Sequence, residues 1–330
     1  MKTILLTGGA GFIGSHVAVE LLQQGYNVVI VDNLRNAEES VIGRIERIAN
    51  KKPIFYKIDC LDKKEFKKVF EKQKIEGVIH FAGLKAVGES CENPLLYYKT
   101  NFDTTINLLE IMQEFNVKNL VFSSSCTVYG IPKEVPVDEN TELQKANSPY
   151  GHTKLVQEEL FQNLYKSDNS WNISLLRYFN PVGAHPSGLL GETQKELRNL
   201  MPYIVKVAKG EIKELAIFGN DYETYDGTCI RDYVHVVDLA KGHIKALENG
   251  SGILIANLGN GKGYSVLELV NTFARVCVPI AYSFKPKRAG DVPVIYADVK
   301  FAKEKLGWVA EKTLEDMCRD AWNYEKTKKD

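Results

Sequence analysis

The first half of the chain alternates short, β-rich apolar runs with amphipathic helical stretches. Six runs are predicted to be buried strands: Thr3–Thr7, Asn27–Val31, Ile54–Ile58, Gly77–Phe81, Asn119–Ser123 and Trp171–Arg177. Helical patterns separate them, at Gly14–Gln24, Lys63–Gln73, Tyr97–Phe115 and Pro149–Lys166. Continuous apolar strands are typical of a parallel sheet that is covered on both faces. The alternation therefore predicts an α/β fold with a Rossmann-type doubly wound parallel sheet.

The pattern loosens after Asn180, where Pro181–Gly188 has the composition of a loop. A chain of 330 residues is long enough for about two domains. We expect a Rossmann-type domain over residues 1–180 and a smaller α/β substrate-binding domain over residues 181–330. Three later segments also have helix or strand patterns: Asp238–Glu248, Ile253–Leu258 and Val266–Val276. Segments near residues 232–260 are candidates for returning to the first domain.

Charge and composition exclude several classes of partner. The chain has 42 basic and 42 acidic residues, so its formal net charge is zero and nothing favours nucleic acid or an anionic membrane. No apolar run reaches the length of a membrane span, and the N-terminal run ends at Thr7. The six cysteines are scattered without a metal-binding spacing, which favours buried free thiols in a reducing compartment. We expect a cytoplasmic protein without a bound metal.

A glycine-rich turn follows the first predicted strand. Gly8, Gly11 and Gly14 have the spacing that allows a tight turn, a close approach to a pyrophosphate and close packing of helix on strand. Asp32, at the end of the next strand, can accept hydrogen bonds from an adenosine ribose and would repel a 2′-phosphate. NAD is therefore favoured over NADP. The feature that supports NADP is Arg35. A tight turn without a ligand is the remaining alternative.

The segment Ser148–Lys154 is predicted to begin a helix, because serine suits the N-cap and proline the first turn. Tyr150 and Lys154 are four residues apart and would share one helix face. An adjacent ammonium, the helix N-terminus and a positive nicotinamide ring would each lower the pKa of Tyr150 and make it a credible base. The alternative is an exposed tyrosine with an unrelated lysine, since this spacing is common by chance.

Hydroxyl side chains follow the strand Asn119–Ser123, in the run Ser124-Ser125-Cys126-Thr127. The carboxyl edge of a parallel sheet is where such folds bind ligands. A serine there could hold a substrate oxygen that Tyr150 deprotonates. Alone these serines would be turn residues, and it is their combination with Tyr150 and Lys154 that indicates chemistry.

These motifs resemble the extended short-chain dehydrogenase/reductase superfamily. Within it, three longer stretches resemble the UDP-glucose 4-epimerase family: Phe81–Ser90, Leu176–Pro186 and Phe218–Tyr222. The resemblance covers essentially the whole chain. It implies an isomerase of galactose metabolism that interconverts UDP-galactose and UDP-glucose. In this family, bound NAD oxidises the sugar at C4, and the 4-keto sugar then rotates and is reduced on its other face.

The resemblance also implies a role for each matching residue. Tyr150 would be the base and acid, Lys154 would tune it, and Ser125, with Ser124 as the alternative, would position the 4-oxygen. The implied NAD site comprises Gly8, Gly11, Phe12, Ile13, Gly14, Asp32, Asn33, Asp59, Cys60, Phe81, Ala82, Gly83, Lys85, Thr100, Asn101, Tyr150, Lys154 and Phe179. The implied UDP-hexose site comprises Ser125, Tyr150, Asn180, Asn199, Leu200, Ala216, Ile217, Phe218, Arg231, Tyr233, Arg288, Asp291 and Ile295. Thr100 departs from the amide residue that is common in the family, so Thr100 and Asn101 are alternatives for one contact.

The implied substrate residues make chemical sense for a UDP-sugar. Arg231 and Arg288 can offer the forked, charge-assisted donors that a diphosphate accepts. Asp291 could accept from the ribose hydroxyls of uridine. Ile295 matches a position that is a bulky tyrosine in some relatives and a small residue in others. Its intermediate size is compatible with turnover of UDP-N-acetylglucosamine and UDP-N-acetylgalactosamine.

The resemblance further implies a homodimer that pairs helices such as Tyr97–Phe115 and Pro149–Lys166, although apolar stripes on these helices could equally be core. The nearest alternative activity is that of a nucleotide-sugar 4,6-dehydratase, which uses an Asp-Glu pair where this chain has Cys126-Thr127. A non-catalytic NAD-binding scaffold is the alternative from another class. A scaffold would have no need for the combination of Tyr150 with a lysine and a serine.

Overall fold

Strands and helices alternate along the first 180 residues, and all six predicted strands form within two residues of their predicted bounds. The computed structural model describes residues 1–193, 199–288 and 290–327. The strands are β1 (Thr3–Thr7), β2 (Asn27–Asp32), β3 (Ile54–Lys57), β4 (Gly77–His80), β5 (Asn119–Ser125), β6 (Asn172–Tyr178), β7 (Asn180–Val182), β8 (Leu215–Phe218), β9 (Ile230–Arg231), β10 (Tyr233–His235), β11 (Ile253–Leu258), β12 (Tyr264–Ser265), β13 (Tyr282–Lys285) and β14 (Val294–Ile295). The helices are α1 (Phe12–Gln23), α2 (Ser40–Ala49), α3 (Lys63–Lys72), α4 (Val87–Glu92), α5 (Pro94–Glu114), α6 (Pro149–Ser167), α7 (Leu200–Ala208), α8 (Val236–Asn249), α9 (Val266–Val276), α10 (Lys300–Leu306) and α11 (Leu314–Thr327). A short 3₁₀ helix, Cys126–Tyr129, follows β5.

The central sheet has seven parallel strands in the order β11-β6-β5-β4-β1-β2-β3. The chain runs outward from β1 to β3 on one side and then crosses to β4 and runs outward again on the other. In open parallel sheets, ligands bind outside the carboxyl ends of the strands at such a reversal of strand order. The topology confirms the predicted Rossmann-type α/β fold. β11 comes from the second half of the chain and pairs with β6 at the sheet edge.

Alternating side chains of β1 enter two cores, one on each face of the sheet. Ile4 and Leu6 belong to the cluster that contains the buried side chains of α1, α2 and α8. Leu5 belongs to the opposite cluster, with buried side chains of α3, α5 and α6. Full burial of a leucine or isoleucine contributes about 1.5–3 kcal/mol. Because helices cover both faces, these strands are apolar throughout instead of alternating with polar residues.

The second half of the chain adds small sheets at the carboxyl end of the large one. β7 pairs with β10, β9 lies between β12 and β14, and β8 pairs with β13. A separate core cluster joins α7, β8, α9 and α11, with Ile204, Ile217, Phe273 and Met317 among its buried members. These elements bring residues far apart in sequence to the ligand-binding edge.

Candidate active site

The glycine-rich turn leads from β1 into α1 as predicted. Gly8 has a φ of +68°, which other residues rarely adopt, and a Cβ there would lie 2.8 Å from the Ala82 nitrogen. A Cβ on Gly14 would lie 2.7 Å from the Gly8 carbonyl oxygen. Gly11 precedes Phe12 at the start of α1, and no side chain caps this helix end. Its first amides are therefore available to an anion.

The carboxylate of Asp32 is held at the end of β2 by two backbone amides. Its Oδ2 accepts from the Ala10 amide at 3.1 Å, and its Oδ1 accepts from the Leu34 amide at 2.8 Å. Burial raises the pKa of Asp32, and these two bonds oppose the increase. Each oxygen still has a lone pair for another donor. Asn33 donates from Nδ2 to Asp59 Oδ2 at 2.8 Å, so three predicted cofactor residues meet at the ends of β2 and β3.

Asn101 fixes the loop that follows β4. Its Oδ1 accepts from the Leu84 amide at 2.7 Å. Its Nδ2 donates to the Leu84 carbonyl at 3.1 Å and to Thr153 Oγ1 at 3.0 Å. These bonds use both amide hydrogens, so Asn101 braces the loop and has no hydrogen left for a ligand.

The remaining predicted cofactor residues lie at the same end of the sheet. The Phe81 ring lies 5.0 Å from the His243 ring, centroid to centroid. The Lys85 ammonium lies 3.6 Å from Glu192 Oε1. The others are placed as follows: Ile13 in the first turn of α1, Cys60 after β3, Ala82 and Gly83 after β4, and Phe179 after β6.

The predicted helix start before Tyr150 is confirmed. Ser148 is the N-cap of α6, and its Oγ accepts from the Gly151 amide at 3.1 Å. Pro149 occupies the first helical position, where its missing N–H costs no hydrogen bond. Tyr150 and Lys154 are both buried, one turn apart on the same face.

The amine of Lys154 is buried beneath the end of β5. Its Nζ donates to the Ser123 carbonyl at 2.7 Å and lies 4.5 Å from the centroid of the Phe122 ring. Burial lowers the pKa of Lys154 to about 7, although the Glu158 carboxylate acts in the opposite direction. The amine can therefore gain or lose its proton near neutral pH.

The pKa of Tyr150 differs from the prediction. Burial raises the pKa of Tyr150 above the usual value of a phenol, and the Tyr178 phenol adds to the increase. A hydrogen bond with the Ser125 side chain opposes it. The predicted lowering is wrong for the chain by itself, because the loss of hydrating water outweighs the hydrogen bond with Ser125. A cation bound beside the phenol would act in the other direction.

Ser124 and Ser125 at the end of β5 differ in their partners. The Ser124 hydroxyl donates to the carboxylate of Glu158 in the protein interior. Ser125 Oγ accepts from the Thr127 amide at 3.3 Å and from Thr127 Oγ1 at 3.0 Å. Neither of these bonds uses the hydrogen of Ser125 itself. Ser125 is therefore the serine whose hydroxyl faces the Tyr150 phenol, and Ser124 is committed to the interior.

The pairing of β9 with β14 places Arg231 opposite Ile295. Arg231 donates from Nη1 to the Ile230 carbonyl at 2.8 Å. Ile295 is buried in a cluster that also contains Phe179 and Tyr129. The structure thus brings together two predicted substrate residues, Arg231 and Ile295, and the predicted cofactor residue Phe179.

Arg288 and Asp291 form a paired group on the surface near β8. The Nε and Nη2 atoms of Arg288 donate to the two carboxylate oxygens of Asp291 at 3.1 and 3.2 Å. The Arg288 guanidinium carbon lies 4.9 Å from the centroid of the Phe218 ring. Tyr222 also donates to Asp291, at 3.4 Å. Three predicted uridine-side residues are thus brought together.

The other predicted substrate residues lie between residues 180 and 233 of the chain. Asn180 and Tyr233 are register partners in the β7–β10 pair. Asn199 donates from Nδ2 to Glu192 Oε1 at 2.6 Å, the same oxygen that faces Lys85. Three more occupy helix or strand positions: Leu200 begins α7, and Ala216 and Ile217 lie in β8.

Two residues beside the site were not predicted. Tyr178 lies opposite Ser125 in the β5–β6 register and hydrogen-bonds with the Ser123 hydroxyl. Burial raises the pKa of Tyr178 to about 12. Asp232 is fully buried and accepts three backbone amides, one of them from Ala297 at 3.2 Å. Two sequence features could have predicted them: Tyr178 stands at the end of a predicted strand, and the carboxylate of Asp232 lies within an apolar stretch.

Within the ranges that the structure describes, no group of three or more His, Cys, Asp or Glu side chains could hold a metal ion. No helix in those ranges is long and apolar enough to cross a membrane. The six cysteines are free, as predicted, but only Cys60, Cys229 and Cys318 are buried. Cys126 and Cys277 are partly buried, and Cys91 is exposed.

The chain is similar to known proteins over nearly its whole length. A family model described as GDP-mannose 4,6 dehydratase matches residues 5–321. The UDP-glucose 4-epimerase of Bacillus subtilis is 50% identical over 98% of this chain and 96% of its own length. That of Dictyostelium discoideum is 51% identical over 98% of this chain and 95% of its own. The crystal structure of UDP-glucose 4-epimerase from Bifidobacterium longum in complex with NAD⁺ and UDP superimposes with a TM-score of 0.96, at 48% identity and 99% coverage of both chains. The fold, the site and these full-length relatives together show that the chain belongs to the UDP-glucose 4-epimerase family of isomerases.

Proposed function

We propose that this protein interconverts UDP-galactose and UDP-glucose, with NAD retained through the reaction. The observation that carries the proposal is the meeting of Tyr150, Lys154 and Ser125 at the carboxyl edge of the sheet, beside the uncapped start of α1. We assign the cofactor to residues 1–180 and the nucleotide sugar mainly to residues 181–330.

The chain's own groups fit NAD. The uncapped amides after Gly11 suit the pyrophosphate, since a helix N-terminus favours negative charge. A Cβ on Gly8 would meet the backbone after β4, and a Cβ on Gly14 would meet the backbone of Gly8 and Gly9, so both glycines keep the turn closely packed. The free lone pairs of Asp32 suit a ribose diol and disfavour a 2′-phosphate. Thr100, with Asn101 as the alternative, and Phe179 are assigned to the NAD site by the family resemblance.

Bound NAD would supply the hydride acceptor and donor for C4 of the sugar. Tyr150 takes the proton from the 4-hydroxyl and later returns it to the 4-oxygen, which is general base and then general acid catalysis. Ser125 donates a hydrogen bond that orients this oxygen. Lys154 places positive charge beneath the site when protonated, and this charge favours the phenolate form of Tyr150.

Epimerisation requires the hexose to turn while the nucleotide stays bound. Arg231 lies in β9 and Arg288 in the loop after β13, and the two would hold the diphosphate by charge-assisted hydrogen bonds. In the chain alone Arg288 is paired with Asp291, so the substrate would exchange this carboxylate for phosphate oxygens. Asp291 would then be released to the uridine ribose.

The residues after Ser125 favour epimerisation over 4,6-dehydration. Dehydration removes water across C5 and C6 and needs an acid and a base beside the sugar. Cys126 and Thr127 stand at these positions. Burial raises the pKa of the Cys126 thiol to about 12, and the Thr127 hydroxyl is bonded to Ser125. Neither is an efficient proton donor or acceptor at neutral pH.

The deciding experiment is incubation of the purified protein with UDP-galactose and no added nucleotide, followed by chromatography of the sugar nucleotides. Formation of UDP-glucose to a stable ratio is the expected result and would mean that NAD co-purifies. Activity that appears only with added NAD would indicate a looser cofactor site. No product under either condition would refute the proposed function.

We extend the proposal to UDP-N-acetylglucosamine and UDP-N-acetylgalactosamine. Ile295 is buried beside Arg231, and its side chain is smaller than the tyrosine of some relatives. The wild-type protein should epimerise UDP-N-acetylglucosamine. Ile295→Tyr should reduce kcat/KM for this substrate about tenfold, in line with about 1.4 kcal/mol per factor of ten, while UDP-galactose turnover changes little. Absence of an N-acetylated product with the wild type would refute the extension.

We also propose that the protein is a cytoplasmic homodimer. Leu95 and Ile106 on α5 are 83% and 43% exposed, and apolar side chains of this kind on a long helix suit an interface with a second copy. The two copies would pair through α5 and α6. Six free cysteines are consistent with a reducing compartment.

A further inference from the structure

A buried ion pair lies behind the proposed catalytic groups. Glu158 on α6 and Arg177 on β6 are both almost completely buried. Arg177 Nε donates to the two carboxylate oxygens at 3.0 and 3.1 Å, and Nη2 donates to Oε2 at 2.6 Å. Burying two charges is unfavourable unless their geometry is good, and apolar residues of similar size often serve stability equally well. Stability alone therefore gives little reason for an ion pair at this point.

The partners of this pair lie on both sides of Ser125. Just before it, the Ser124 hydroxyl donates to the Glu158 carboxylate. Just after it, in the 3₁₀ helix, the Tyr129 hydroxyl accepts from Arg177 Nη1 at 3.2 Å. The end of β5 and the 3₁₀ helix are thus fixed to the same ion pair.

Glu158 also belongs to the helix that carries the proposed base. It lies four residues after Lys154 and eight after Tyr150, so the three side chains follow one face of α6. Ser124 connects this helix face by a hydrogen bond to the strand end that carries Ser125, beside the bond from Lys154 Nζ to the Ser123 carbonyl.

We propose that Glu158, Arg177 and Ser124 are positioning residues, which set the distance between the Tyr150 phenol and the Ser125 hydroxyl. This inference rests on the proposed function and deepens it. A shift of about 1 Å in such an arrangement can lower a rate about 100-fold without changing ground-state binding. The pair acts through the catalytic groups and touches neither ligand.

Ser124→Ala gives the sharpest test, because it removes the bond from the strand end to Glu158 and leaves both the Glu158–Arg177 pair and the Lys154–Ser123 bond in place. The matched control is Ser174→Ala, a buried serine of β6 whose hydroxyl donates to the Ala246 carbonyl at 3.4 Å. The second variant is Glu158→Met with Arg177→Met, which removes both charges together and leaves none unpaired. Each protein is assayed for kcat, KM for UDP-galactose, NAD content and Tm.

We expect Ser124→Ala to lower kcat about 10- to 100-fold, with KM and NAD content within about twofold of the wild type and Tm nearly unchanged. The double variant should show a similar fall in kcat without a lower Tm, and Ser174→Ala should match the wild type. Wild-type kcat in Ser124→Ala would overturn the inference. So would a fall in kcat accompanied by parallel loss of NAD or a higher KM, since that indicates a general structural defect. An inactive wild-type protein would overturn the proposed function and this inference together.

Discussion

At the scale of single residues, the hydroxyl of Tyr150 is the group on which the proposed reaction depends. Tyr150→Phe removes that oxygen and keeps the buried ring. We expect kcat to fall by about 10²- to 10⁴-fold, the usual contribution of general acid–base catalysis. NAD content and UDP affinity, measured by extraction and calorimetry, should stay unchanged. Undiminished turnover would exclude Tyr150 as the base, and a non-catalytic scaffold would have no turnover to lose.

Lys154 gives a prediction about stability and pH. Its pKa is about 7 in the folded chain, against about 10.4 in an unfolded one. Below pH 7 both states are protonated, and the cost of burying the ammonium is fully present. Between pH 7 and about 10 the unfolded state binds more protons, so the contribution of Lys154 to stability improves as pH rises.

Lys154→Met, which removes this titration, should therefore have a Tm advantage over the wild type that is largest near pH 6. The advantage should shrink steadily towards pH 10. Scanning calorimetry of both proteins across this range is the measurement. A Tm difference that does not depend on pH would contradict the assigned pKa. Because Lys154 also favours the phenolate of Tyr150, the same variant should lose most of its activity at every pH.

At the scale of elements, the start of α1 is the part of the site that depends most on the backbone. Gly11→Ala keeps an allowed conformation, since φ is −70°, but brings a Cβ to 3.2 Å from the Gly8 carbonyl and into the path of a pyrophosphate. We expect NAD affinity to fall about tenfold or more, equivalent to about 1.4 kcal/mol.

Gly43→Ala in α2 is the matched control, because a Cβ there meets nothing within 4 Å. It should retain NAD fully and gain about 0.5–1 kcal/mol in the free energy of unfolding. Equal NAD loss in both variants would show that the effect at Gly11 is not local.

How far the sequence predicts these elements depends on where their hydrogen bonds are made. β1 forms over Thr3–Thr7 as predicted, since its apolar run is a local signal. β9 has only two residues, Ile230 and Arg231, and exists because β12 and β14 pair with it from distant positions. No local sequence pattern can predict such a strand. α2 does have apolar residues at helical spacing, Val41, Ile42 and Ile45, but it was not among the predicted helices.

The same distinction holds within the candidate site. The spacing of Tyr150 and Lys154 within one helix could be derived from the sequence, because helix geometry is local. The sequence could not show which of Ser124 and Ser125 faces the interior, because that depends on how α6 packs against β5. The raised pKa of Tyr150 likewise follows from burial, which is set by the whole fold. The contribution that opposes it, the hydrogen bond with Ser125, comes from a strand end 25 residues earlier in the chain.

At the scale of the whole molecule, α5 determines the proposed assembly. Ile106→Glu would place a charge in the interface between copies, and we expect the dimer to dissociate. Light scattering after size-exclusion chromatography should change from twice 37.1 kDa to 37.1 kDa. Ile54→Glu is the control, since Ile54 is 42% exposed on β3, at the far edge of the sheet, and Ile106 is 43% exposed. A mass that is equal for both variants would refute pairing through α5.

The position of β11 at the sheet edge has a consequence for folding during translation. Tyr178 ends β6 and Ile253 begins its partner, so about 75 residues must be synthesised between them, which takes roughly 4–15 seconds at usual translation rates. During this interval β6 presents unpaired backbone groups, a surface that promotes aggregation. A fragment ending at residue 180 would keep this edge permanently. It would contain Tyr150, Lys154 and the glycine turn, and yet it would aggregate instead of serving as a minimal cofactor-binding protein.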